Sequence, residues 1–323
     1  MAEIVTFGEL LVEFVATRTG QTFDSPGNFE GPFVSGAPAI FADQAALQGA
    51  SVAIAGCVGQ DAFGEAILHR LIADGVSITS VARSADRPTS TAFVAYRAGG
   101  ERQFVFNLAQ SAAGLLDEGG ISPALFEGCR WLHLMGSSLY NAGAIRAARA
   151  AAREARRRGC KISFDPNIRP ELTGPPEVQQ ALWETLEICD LFLPSEADLQ
   201  FFYPNITNDE FIRTLLDRPS LEAVVIKRGA AGSVYVSRKQ RIEVRAFTVT
   251  EVDPTGAGDC FCGTFLASLV GGLPVQQALV RANAAGAMAV LKRGPMEGNS
   301  SKAQLDGFIA ARSSSLPSVL ASG

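Results

Sequence analysis

Short apolar runs recur along the chain, spaced widely enough for a helix to lie between them. Residues 52–57 precede an amphipathic stretch near 62–74, and residues 130–134 precede a helical pattern at about 142–158. Runs of the same kind follow at 161–164, 191–193 and 223–226, each bounded by polar turns. Apolar runs without strict alternation predict strands buried on both faces of a mainly parallel sheet. Strands separated by helices then imply a doubly wound α/β fold, with ligands at the carboxyl ends of the strands.

Two regions break this pattern. Residues of about 10–34 and 88–108 hold alternating strand-like pieces, such as 91–96 and 102–106, with a hairpin signal at Ala98-Gly-Gly100. Lacking helices between them, these pieces predict a small, partly antiparallel β-sheet lid inserted at the edge of the main sheet. A lid of that kind excludes water from a site. Residues 1–312 read as a single α/β domain carrying the lid, and the Ser-rich segment 313–323 as a frayed tail.

Composition narrows the setting. With 47% hydrophobic and 19% charged residues among 323, the chain can bury a large core, and disorder is not expected. A net charge of −5 argues against a nucleic-acid face. The densest basic stretch, 153–161, reads as the solvated end of an Ala/Arg helix. No leader pattern opens the chain and no apolar run reaches the length of a membrane span. Six scattered cysteines predict reduced thiols and a cytoplasmic location. Cys260 and Cys262, two apart on a helix, point to different faces and read as packing residues.

The strongest chemical signal is Asp253-Pro-Thr255-Gly256-Ala257-Gly258-Asp259, a glycine turn leading into an apolar helix. Gly256, Ala257 and Gly258 leave backbone N–H groups unobstructed where a helix has unsatisfied donors, a geometry suited to a transferring phosphoryl group. Asp259 in the first turn would then accept a proton from an incoming hydroxyl. The alternative is an Asp that caps a structural helix.

This motif resembles the C-terminal signature of the ribokinase-like, or pfkB, carbohydrate kinases. The resemblance implies that Asp259 is the base on a sugar hydroxyl, that the 256–258 amides form the anion hole, and that ATP and Mg²⁺ are used. It further implies a monovalent cation such as K⁺ near Asp253 and Thr255. Ser35-Gly36-Ala37-Pro-Ala39 and the segment 58–64 resemble the family's N-terminal sugar-binding signature, with Glu9 and Glu13 placed to grip hydroxyls. Asp165-Pro-Asn167-Ile-Arg169 resembles a motif of the fructokinase and 2-keto-3-deoxygluconate kinase branches; Arg169 would hold phosphate or substrate oxygens, and Asn167 would contact the nucleotide. Lys227, Gly229 and Gly232 resemble the loop beneath the nucleotide, and Asn283 a position lining the adenine pocket. Ser195 and Asp198 stand where relatives approach Mg²⁺ and the phosphates.

Departures from the family pattern bear on substrate. Ile40 replaces a usual Asn, and Asp43, one turn on, is expected either to take over its sugar contact or to be an ordinary solvated helix residue. Leu108 occupies the position where keto-deoxygluconate kinases tend to carry an Arg for the acid group, which favours a neutral ketohexose such as tagatose or fructose. Asn107 and Gln110 on the lid are expected to read its hydroxyls. Keto-deoxygluconate kinase, ribokinase or nucleoside kinase, and a sugar-sensing pseudokinase remain the alternatives. Partners are a small sugar and ATP, with no nucleic acid or membrane and a homodimer through the lid as a further expectation. A dinucleotide fingerprint and a Walker loop are absent, and two histidines give little support to a His-based triad or a multi-His zinc site.

Overall fold

The computed structural model describes residues 1–97 and 102–312, and 319–322 as backbone. Ten strands form one sheet: β1 Ile4–Phe7, β4 Val52–Gly59, β5 Ser77–Ser84, β8 Trp131–Met135, β9 Lys161–Asp165, β10 Leu191–Phe192, β11 Ala223–Lys227, β12 Ser233–Ser237, β13 Arg241–Val244 and β14 Val319–Ser322. Their order is β14-β13-β12-β11-β10-β9-β8-β1-β4-β5. From β5 to β11 all pairs are parallel, and β11 to β14 run antiparallel.

The two-sided apolar strands have the expected cause. Ile4 and Val225 face a core built with helices α1 Ala37–Leu47, α2 Ala62–Ala73, α7 Ala257–Val270, α8 Val275–Ala289 and α9 Lys302–Ala310. Val5, Phe7, Val224 and Ile226 face a second core with α3 Ala142–Arg157, α4 Pro176–Ile188, α5 Glu196–Phe202 and α6 Asn208–Leu216. Side chains alternate faces along a strand, so a strand covered on both sides must be apolar throughout. On α3 the buried face is alanine apart from Ile145, while Arg157 and Arg158 bond Glu154 and Arg156 bonds Asp190.

The segments that broke the pattern form a second sheet, β3-β2-β6-β7, from β2 Leu11–Ala16, β3 Phe29–Ser35, β6 Ser90–Tyr96 and β7 Arg102–Asn107. Strands β2 and β6 are parallel, and the other two pairs antiparallel. Phe14 on β2 meets Phe63 of α2 with centroids 5.8 Å apart, so one face of this sheet packs on the main body. Its other face carries Leu11 and Glu13 over a cavity. The hairpin signal at 98–100 lies outside the described residues. The tail needs correction: 319–322 pair with β13 as β14 and so are not frayed, while 313–318 and 323 lie outside the described residues.

Candidate active site

The glycine turn opens α7. Gly256 occupies its N-cap with φ +81°, and a Cβ there would meet the Pro295 carbonyl oxygen at 2.2 Å, so only glycine fits. A Cβ on Gly258 would stand 3.6 Å from Lys227 Nζ. That is an ordinary contact, so the Lys227 side chain lies directly over Gly258. Ala257 and the residues after it present first-turn amides that have no intrahelical partner.

Asp259 is 4% exposed and is not a cap. Its Oδ1 instead accepts from Asn167 Nδ2 at 2.9 Å. Burial pushes its carboxyl up to about 7; Asp165 adds to that, while Arg169 and Lys227 oppose it and Glu9 raises it further. A carboxylate poised there accepts a proton at neutral pH more readily than an exposed one.

Asp259 closes one end of a cavity shared with Glu9, Glu13, Gly36, Ala37 and Arg169. Glu9 follows β1 and accepts from Ser137 at 3.0 Å and Ser138 at 2.6 Å. Glu13 Oε1 accepts from Ser35 at 2.6 Å, whereas its Oε2 is buried with no hydrogen-bond partner among the described residues. Burial raises both carboxyls. An orphaned acceptor beside a cavity is a place for a ligand hydroxyl. Gly36, at φ +108°, brings the start of α1 so close to the Glu9 carbonyl that a Cβ would stand 2.3 Å from it. Leu11, Ile40, Phe104, Phe106, Leu108 and Leu172 form the apolar part of the wall, and Ser35, Ser137, Thr255 and Gly256 complete it. Phe104 and Phe106 stack at 5.1 Å, and the Arg169 guanidinium lies 5.7 Å from the Phe104 ring.

Three expected sugar contacts do not line the cavity. Asp43 is fully buried, but it bonds Arg70 at 3.3 Å and Asn299 at 2.6 Å and does not line the cavity. It is not a solvated residue; it ties α1 to α2 through Arg70 and to Asn299. Asn107 is exposed and bonds Thr91 across the second sheet at 2.9 Å, and Gln110 is exposed as well. Strand alternation puts Phe104 and Phe106 inward instead.

The residues expected at the nucleotide do not line this cavity. Lys227, at the end of β11, forms a buried ion pair with Asp165, which also accepts from the Asn167 amide at 3.0 Å and from Cys262 Sγ at 3.3 Å. Burial works against the lysine's charge, but Asp165, together with Cys262 and Asp198, more than restores it and pushes its pKa up. Cys260 turns the other way, to Asn299 at 2.9 Å. Ser195 and Asp198 form a capping box on α5, and Asp198 Oδ1 also accepts from the Ile168 amide at 2.9 Å. Gly232, at φ +97°, is forced by the Val244 carbonyl, whereas Gly229 has open space around it. Asn283 donates to the carbonyls of Val244 and Arg245 at 3.1 and 3.2 Å, holding α8 to the end of β13.

Asp253 and Thr255 precede the turn. Burial alone would raise the Asp253 carboxyl, yet it is held below the usual range by Tyr96 Oη at 2.7 Å and the amides of Gly294 and Thr255. Tyr96 had no signal in the sequence, since its partner is 157 positions away. Ser137 and Ser138 were likewise missed, and Asp165 was visible only as part of its motif.

Fructokinase-1 of Oryza sativa subsp. japonica is 33% identical over 90% of this chain and 92% of its own length. The crystal structure of a candidate ribokinase II from E. coli, in complex with ATP and Mg²⁺, superposes with a TM-score of 0.91 at 41% identity, over 96% of this chain and all of the other. Fructokinase from Vibrio cholerae O395, solved with fructose, ADP and calcium ion, gives 0.84 at 27% identity, over 95% of this chain and 99% of the other. The pfkB family carbohydrate kinase pattern matches residues 1–302. With the glycine turn, its buried carboxylate and the paired glutamates on one cavity, the chain belongs to the pfkB family of carbohydrate kinases.

Proposed function

We propose that this protein transfers the γ-phosphoryl group of ATP to a hydroxyl of a neutral ketohexose, fructose or tagatose, with Asp259 as base. The observation that carries the reading is the cavity joining Asp259 to Glu9 and Glu13, whose Oε2 lacks a partner among the described residues. Carboxylates accept hydrogen bonds from sugar hydroxyls, and the wall at Leu108 is apolar, so Arg169 is the cation among the residues lining the cavity. Fructokinase relatives support the substrate class.

The sugar hydroxyl gives its proton to Asp259 as its oxygen bonds to phosphorus and the bond to ADP breaks. Charge on the phosphoryl oxygens is met by the first-turn amides of α7 and by Lys227 above Gly258. Arg169 holds oxygens from the cavity side. The second sheet acts as a lid that keeps water from competing with the sugar. Magnesium, when bound, neutralises the nucleotide phosphates. Because Ser195 and Asp198 already spend their oxygens on the capping box, contact through water fits them best. Asp253 and Thr255 offer oxygens, one of them ionised, which suits K⁺. Gly229, Gly232 and Asn283 shape the nucleotide side, Asn283 by holding residues 244–245 in place.

A reducing, cytoplasmic setting fits six free cysteines, five of them buried. The open edges of the second sheet, β3 and β7, are the candidate homodimer face. Ribose is the second reading, from the E. coli neighbour. ADP release measured across fructose, tagatose, ribose, 2-keto-3-deoxygluconate and nucleosides decides between them. Highest kcat/KM on a ketohexose supports the reading, and highest kcat/KM on ribose, the sugar acid or a nucleoside refutes it.

A further inference from the structure

Asn167 is the one non-glycine residue among those described with a positive φ, +39°. Asparagine tolerates this region better than most residues, but the conformation still has to be held. Two buried carboxylates hold it. The Asn167 amide donates to Asp165 Oδ1 at 3.0 Å, and the next amide, of Ile168, donates to Asp198 Oδ1 at 2.9 Å. Asp165 is in turn paired with Lys227, and Asp198 is fixed by its capping box. The chain leaving β9 is therefore pinned at two successive residues.

What this turn delivers is one side-chain contact, Asn167 Nδ2 to Asp259 Oδ1 at 2.9 Å. Only the amide's N–H₂ end can face the carboxylate favourably, since its carbonyl would set acceptor against acceptor. No hydrogen bond from a described residue engages Asp259 Oδ2, nor is that atom among the sealed, partnerless ones, and Asp259 lines the cavity. Asn167 itself is 8% exposed and does not line that cavity.

We propose that Asn167 is a positioning residue for phosphoryl transfer: its amide fixes Asp259 Oδ1 and leaves Oδ2 to take the proton of the sugar hydroxyl. This rests on the reading of Asp259 as base and replaces the expectation that Asn167 contacts the nucleotide. The donated hydrogen bond favours the carboxylate, so its loss must make Asp259 harder to ionise. The charged groups facing Asp259 are Asp165 from β9, Arg169 just beyond it, Lys227 from β11 and Glu9 after β1. All remain in the variants below.

The test uses Asn167→Gly, which accepts the positive φ but removes the amide, and Asn167→Asp, which keeps the shape but replaces the donor with a like charge. Asp259→Asn is the control for the underlying reading. In Asn167→Gly, kcat should fall about ten- to a hundredfold with the KM for ATP within about twofold and the melting temperature not lowered. The acidic limb of kcat/KM should move up by about one pH unit in Asn167→Gly and further in Asn167→Asp. If Asn167→Gly does not fold, the displaced limb in Asn167→Asp carries the test. With Asp259→Asn inactive, an unmoved limb and unchanged kcat would overturn the inference. So would a raised KM for ATP at unchanged kcat. An active Asp259→Asn would overturn the reading beneath it.

Discussion

Asp259 must be ionised to accept a proton, and its surroundings oppose that. Burial and then Asp165 push its carboxyl up to about 7, so a substantial share is protonated at neutral pH. The protonated form cannot act as base, so kcat/KM should climb with pH through about 7 and level off above it. A rate profile from pH 5 to 9 checks this, and a flat profile would contradict it. Glu13 makes a separate prediction, because its Oε2 has no partner among the described residues. Glu13→Gln should raise the KM for sugar by about ten- to a hundredfold and leave the KM for ATP unchanged, as measured by steady-state kinetics. These two residues and the glycine turn were legible because their chemistry sits in contiguous motifs. Asp43 and Asn107 misled because residue type and helix or strand position do not reveal direction. Asp43 found Arg70 and Asn299, and Asn107 lies on the outward face of its strand.

At the scale of elements, the parallel strands could be read because each is apolar on both faces. Helix α1 gave no such period: from Pro38 to Ala45 every residue is buried, so its polar face is missing. Strand β10 is only two residues long, and β14 follows a Ser-rich stretch that argues for no structure. The tie between the second sheet and the glycine turn is equally invisible in the sequence. Tyr96 ends β6 and donates to Asp253 Oδ1, which also accepts from the Thr255 amide just before the turn. From the other side, Arg293 bonds the Ala16 carbonyl and pairs with Glu30, and the neighbouring Gly294 amide donates to Asp253 Oδ2. One carboxylate thus meets the second sheet directly through Tyr96 and indirectly through the 293–294 segment. Tyr96→Phe, which removes only the hydroxyl, should lower kcat by about tenfold with the sugar KM changed by less than about threefold. Unchanged kcat would show that the two elements act independently.

For the whole molecule, the doubly wound sheet explains why residues far apart in sequence share one site. Glu9 follows β1, Ser137 follows β8, Asn167 and Arg169 follow β9, Ser195 follows β10 and Lys227 ends β11, so all stand at carboxyl ends of parallel strands. The glycine turn of α7 meets them there, and the second sheet covers the cavity. The fold class followed from periodicity, but this convergence is a property of topology and needed the structure. The account as a whole stands on sugar-dependent phosphoryl transfer with Asp259 as base. Its most direct test compares ADP formation from ATP and fructose or tagatose in the native protein and in Asp259→Asn, with binding of both ligands measured by calorimetry. The account predicts a loss of about 10²–10⁴ in kcat with sugar and ATP affinities retained. Turnover by Asp259→Asn at the native rate would contradict it.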